Sequence, residues 1–222
     1  MEANLNDQNY LPSLFERVKA LRFSAGLRNY DSVITDITVI QSEFVVYGDA
    51  MGVIFCHKAI AQVYLGRLAD LKETDERIAS LEMALYHINE AMILAVKGGS
   101  VQPSLIKCQS VVKSRLGDLL HREGRHAEAN FLETDGLKAL NKMLERHPDY
   151  AEGYLENAAA SFLKVQWTLH KVSADLKKAA GLLRRPRHTK HLPTATEVSQ
   201  FMHRITVLQA AVQGMLSAAQ FD

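Results

Sequence analysis

Ser114, Asp118, His121 and Arg122 are the side chains whose types and spacing most readily do chemistry in this chain. Their successive spacings of four, three and one put all four on one face of a helix. A carboxylate, an imidazole and a guanidinium side by side could grip a peptide's backbone amides or a carboxylate. A solvated helix face is the alternative reading of the same residues. Nine histidines invite a metal or catalytic reading. His121 and His126 straddle Gly124, and His188 and His191 share a loop. Neither pair has a cysteine or carboxylate cluster at ligand spacing, so no metal site is expected. No glycine-rich phosphate loop follows a strand, and no nucleophile elbow or His-Glu zinc motif occurs. The chain therefore reads as a non-enzyme, with no catalytic residue and no cofactor.

A second chemistry is electrostatic. Between residues 171 and 190 lie Lys171, Lys177, Lys178, Arg184, Arg185, Arg187 and Lys190, with Asp175 as the sole acid. That is a local charge of +6 in a chain whose total is +1. Such a patch could bind phosphates, acidic peptides or an import receptor. It lacks the interleaved aromatics of a single-strand nucleic-acid binder. A solvated helix end and loop is the alternative.

These groups must be positioned by helices. The 222 residues are 47% hydrophobic and 23% charged, an ordinary composition for one folded domain or one compact repeat array. The start, MEANLNDQNY, has no apolar core and is not expected to be a secretory signal. No apolar run approaches the roughly 20 residues needed to span a bilayer. Cys56 and Cys108 lie within amphipathic patterns and read as buried thiols of a cytoplasmic protein, with a disulfide between them left open.

Glycine and proline fall between periodic runs. The first run is expected to open at Ser13, with Glu16 completing a capping box, and to carry Leu14, Val18, Leu21 and Ala25 on one face before Gly26. Residues 29–48 are rich in β-branched side chains. Val33, Ile37, Ile40 and Phe44 nevertheless recur at helical spacing, and the period predicts a helix. Further helices are expected over 50–71, with Thr74 or Asp75 capping a fourth over 76–97, and on either side of Gly124. Arg146 and His147 end the sixth before Pro148. Residues 150–185 read as one long helix or two. Thr194 and Glu197 form another capping box, ahead of a last helix whose face is Val198, Phe201, Ile205, Leu208, Val212, Met215 and Ala219.

The stretch SRLGDLLHREGRHAEA, residues 114–129, places Gly117 inside a helix, Gly124 at its end and Ala129 beyond the turn. Small residues at such points let two helices of a hairpin cross closely. Leu116 and Gly117, then Leu120, Gly124 and Ala129, resemble the tetratricopeptide repeat, a helical hairpin of about 34 residues. HPDYAEGY at 147–154 is similar to the junction between two such units. Leu65 and Gly66 repeat the Leu-Gly pair, with Ile78 in place of the alanine, and NYDSVI at 29–34 resembles the start of a second helix. The two Leu-Gly pairs are 51 residues apart, so the units resemble long-helix variants of the repeat.

The resemblance implies an all-α fold: a short right-handed α-solenoid of antiparallel hairpins over 10–185, a basic loop at 186–193 and a capping helix at 194–220, in one domain. The last helix could instead pack against a second copy. In this family the first helix of each hairpin lines a groove that holds peptides or partner helices. That would make Ser114, Asp118, His121 and Arg122 groove residues, with Arg67 and Asp70 their counterparts upstream. The expected function is a non-enzymatic adaptor, chaperone or assembly subunit in the cytoplasm, or the nucleus of a eukaryote, binding another protein. The alternatives are a regulator that binds an anionic partner or nucleic acid through Lys177, Lys178, Arg184, Arg185, Arg187 and Lys190, and a structural subunit of a larger complex. No membrane association is expected.

Overall fold

The computed structural model describes residues 10–26 and 29–163, together with 177, 178, 180, 199, 200, 202–208 and 210. Among these residues every regular element is a helix: α1 (Tyr10–Ser24), α2 (Tyr30–Val46), α3 (Ala50–Arg67), α4 (Thr74–Lys97), α5 (Pro103–Arg122), α6 (His126–Arg146) and α7 (Ala151–Leu163). The chain divides into two compact units, Met1–Ala129 and Asn130–Asp222.

In the first unit α3 is the hub. It packs against α1, α2, α4 and α5, while α1 also meets α2 and α4 meets α5. Its sequence suits that place, because Gly52, Ile54, Cys56, Ala59, Ile60, Ala61 and Val63 are buried on two sides of the helix, while Phe55, Lys58 and Gln62 on another side are half-buried. A helix with two apolar sides packs against several neighbours. The segment over 30–46 is helical despite its β-branched content, and Val33, Ile37, Ile40 and Phe44 are almost wholly buried. Burial of one continuous stripe outweighs a propensity penalty of a few tenths of a kcal/mol per residue. Asn29 caps α2 by accepting the Asp31 N–H, and Asp49 caps α3 by accepting the N–H groups of Met51 and Gly52.

Two expected caps differ. Ser13 lies inside α1, which begins at Tyr10, and its hydroxyl donates to the Tyr10 carbonyl at 2.7 Å. A serine hydroxyl satisfied one turn back needs no helix end. At α4 the cap position belongs to Glu73, whose side chain makes no capping bond, and Thr74 and Asp75 form the first turn. The Gly124 turn matches its expected form. Gly124 has φ +79°, and the Arg125 N–H donates to the Leu120 carbonyl at 2.8 Å. That closing bond requires a residue in the left-handed region, which glycine adopts without penalty. Gly117 and Ala129 are both buried. At Gly52 the backbone is approached closely, and a β-carbon there would lie 2.0 Å from the Phe44 ring.

In the second unit Leu140, Leu155 and Ala158 are fully buried, and Gly153 sits against Leu144 and Tyr150. Arg204 donates two hydrogen bonds to the Glu156 carboxylate, at 2.9 and 3.3 Å. Residues 202–208 are helical with Ile205 buried, so one position of the expected last apolar face is in a core. Its other described member, Leu208, is half-buried. The Thr194–Glu197 capping box lies outside the described residues, and so do Val198, Phe201, Val212, Met215 and Ala219. No helix among the described residues is long and apolar enough to cross a membrane.

Candidate binding face

α1, α3 and α5 share a surface because each packs on the next: α1 meets α3, and α3 meets α5. Three side-chain contacts mark it. Phe15 of α1 lies 5.3 Å from Phe55 of α3, ring centre to ring centre. Further along the same helices the Arg22 guanidinium donates to the Gln62 amide oxygen at 2.8 Å. Across the other seam the Lys58 ammonium donates to the Ser104 hydroxyl of α5 at 2.9 Å. Phe15 and Arg22 are seven residues apart, about two turns, so they lie on one side of α1. Phe55, Lys58 and Gln62, at spacings of three and four, form a single stripe on α3.

On α5 the same arithmetic runs from Ser104 through Val111 to Asp118, each about two turns on, with Arg115 and Arg122 on the same line. The Arg122 guanidinium donates to the Asp118 carboxylate at 2.8 Å, an i,i+4 pair with Arg122 well exposed. Asp118 and Arg122 thus continue the side of α5 on which Ser104 meets Lys58. Ser114 and His121 sit around the helix from that line, both half-buried. His121 Nδ1 is 3.1 Å from His126 Nδ1 across the Gly124 turn. The resulting face is mixed, with the half-buried rings of Phe15 and Phe55 at the edge of the core at one end, Phe15 also 4.8 Å from buried Phe44, and charged groups toward Arg122.

Arg67 and Asp70 are placed elsewhere. Nine residues separate Lys58 from Arg67, which is two and a half turns, so they leave α3 on opposite sides. Arg67 donates to Asp31 of α2 at 3.0 Å, and the Tyr30 hydroxyl donates to Asp70 at 2.8 Å. Both therefore close the seam between α2 and the end of α3, while Lys58 and Gln62 are the α3 groups beside Ser104 and Arg22. Spacing alone missed those two. Lys58 and Gln62 lie one turn apart on α3, but nothing local to that helix says which neighbours this side meets.

Of the basic segment, Lys177 and Lys178 are described, and both are exposed. Lys178 donates to the Tyr154 hydroxyl, with its ammonium 4.0 Å from the centre of the Tyr154 ring. Lys171, Arg184, Arg185, Arg187 and Lys190 lie outside the described residues. Cys56 and Cys108 are both buried thiols, and burial pushes Cys56 up to about 12. Among the described residues no group of three or more histidine, cysteine, aspartate or glutamate side chains could hold a metal ion. Open clefts occur among the described residues of the first unit, two of them between neighbouring helices. One of about 310 Å³ lies between α3 and α4 beside Tyr64, Arg67 and Met83. The other, of about 650 Å³, lies between α1 and α2 beside Arg17, Asp36 and Val39. No known family model matches the chain, and no curated protein matches it.

Proposed function

We propose that this protein is a non-enzymatic interaction module, an adaptor, chaperone or assembly subunit that holds a segment of another protein along the face of α1, α3 and α5. The observation that carries the reading is the continuity of that face through Phe15–Phe55, Arg22–Gln62 and Lys58–Ser104 to the Asp118–Arg122 pair. Aromatic anchors beside charged donors suit an extended peptide or a helix. The rings would bury apolar side chains, and the cations would meet carboxylates or backbone carbonyls.

A stack of helical hairpins is the architecture this reading assigns. It is supported by short connections, such as Tyr47–Asp49 between α2 and α3, and by the contacts that run from α1 to α3 to α5. In such a stack of antiparallel pairs, resembling the tetratricopeptide repeat, the first helices of successive hairpins lie side by side.

The test is capture of partners from host lysate with nuclease present, at low and high salt. Wild type is compared with a Lys58→Glu/Arg122→Glu variant and with one in which Arg184, Arg185, Arg187 and Lys190 are changed to Gln. A protein partner that survives salt and is lost with the first variant alone is the expected result. Partners that vanish in salt, or with the second variant alone, would overturn the face as the main site and favour an anionic partner of the basic segment.

A further inference from the structure

The seam between α2, α3 and α4 contains a chain of polar rings that the proposed binding face does not use. His57 leaves α3 on the side of Tyr64, roughly 100° around the helix from Lys58. Its Nε2 is 2.7 Å from the Gln41 side-chain nitrogen of α2, and its Nδ1 is 3.1 Å from Nδ1 of His87 on α4. The Tyr64 ring lies over His87 at 6.0 Å and the Tyr86 ring meets it edge-on at 5.2 Å. Three helices are thus joined through two imidazoles.

Two ring nitrogens 3.1 Å apart hold one hydrogen between them. With both rings neutral, the Gln41 side-chain nitrogen donates to His57 Nε2, which puts the shared hydrogen on His57 Nδ1; the opposite placement needs the Gln41 amide turned over so that its oxygen accepts from Nε2–H. One added proton is also accommodated. It makes one ring a donor at both nitrogens, facing an acceptor at Nδ1 of the other, and it leaves a hydrogen on His57 Nε2 that the Gln41 amide, turned over, accepts at its oxygen. A second added proton leaves N–H pointing at N–H between two cations.

We propose that Gln41, His57 and His87 form an acid-sensitive latch across α2, α3 and α4, closed with at most one added proton and opened by the second. The surroundings favour the closed form near neutral pH. Burial lowers both histidines below their ordinary range, and burial together with the His57 charge holds His87 at about 4. Glu90 of α4 acts on His57 in the opposite sense and favours the first proton. The other groups around the seam are Tyr64 on α3, Tyr86 on α4 and the uncharged Gln41 on α2. Lys58 is turned to Ser104, and α5 meets α4 through the uncharged Gln109 and Asn89. The two rings therefore titrate as a pair.

The unfolded chain takes up protons near the ordinary histidine value of 6.5, which His57 resists in the folded latch and His87 resists down to about 4. Stability is accordingly full above about pH 6.5 and falls as the pH drops through that window, by up to roughly tenfold in the folding constant per pH unit for each proton refused.

The experiment is chemical denaturation of the whole chain from about pH 7 to about pH 4.5, wild type against His57→Gln/His87→Gln. Glutamines keep a donor and an acceptor without titrating, and the other seven histidines are common to both proteins. The expected result is a clearly shallower loss of stability with acid in the variant. Parallel profiles would overturn the latch. Should the variant fail to fold, the ring-proton NMR titration of wild type decides. Two depressed, coupled steps with accelerated hydrogen exchange in α3 and α4 at the second support the latch. Two independent steps near 6.5 sink it.

Discussion

Gly52 carries more structural consequence than any spacing rule assigns to it. A β-carbon there would lie 2.0 Å from the Phe44 ring, itself fully buried, so neither partner has room to move. Gly52→Ala is expected to cost about 1–3 kcal/mol through overpacking, read as a drop in the denaturation midpoint with an unchanged slope. An unaltered midpoint would mean that α2 and α3 cross less tightly. The Cys56 thiol, pushed up to about 12 by burial, should not react with a thiol reagent at about pH 8 until denaturant is added. Rapid native labelling at Cys56 would contradict its place in the core. At this scale the apolar positions were legible in the sequence. Val33, Ile37, Ile40 and Phe44 are buried as their period requires. Gly52 was not legible, because a glycine within an apolar run has no local signature of what approaches it.

Helix ends decide how the elements turn. Asp49 accepts two backbone N–H groups at the start of α3, at 3.0 and 3.1 Å, immediately after the turn that follows α2. Asp49→Ala is expected to lose about 1 kcal/mol of stability, and Asp49→Ser to recover most of it, both measured by thermal melting. Equal melting of the alanine and serine variants would remove the cap from the account. The cases of Ser13 and of Thr74 and Asp75 show why such ends are hard to read. A hydroxyl satisfied by a carbonyl one turn back, or a glutamate at the cap position without a side-chain bond, leaves the sequence pattern of a cap one or more residues from the true end. Gly124 was legible because the left-handed turn at φ +79° is a local requirement of the chain.

At the scale of the molecule, α3 is surrounded by α1, α2, α4 and α5 in the first unit. Its amides from Ala59 to Val63 are therefore expected to be among the slowest to exchange with deuterated solvent in that unit. Faster exchange there than in α1 would show that the hub is not the last element to open. The candidate face depends on the same arrangement. Helix positions, core stripes and the all-helical class follow from periodicity, which is written into the order of side chains along each segment. Asp118 and Arg122 could be placed on one helix face by that means. That Lys58 and Gln62 stand beside Ser104 and Arg22 could not be read that way, and neither could the turning of Arg67 and Asp70 toward α2. Which side of a helix meets which neighbour is set by packing between distant segments, and a helix with more than one buried side, like α3, does not reveal it by its own pattern. The sequence by itself thus determined the helices and their buried stripes. Only the tertiary structure decided which polar groups stand together, on the α1–α3–α5 face and in the histidine seam, because those neighbours are brought together by the mutual burial of apolar faces that local spacing does not pair.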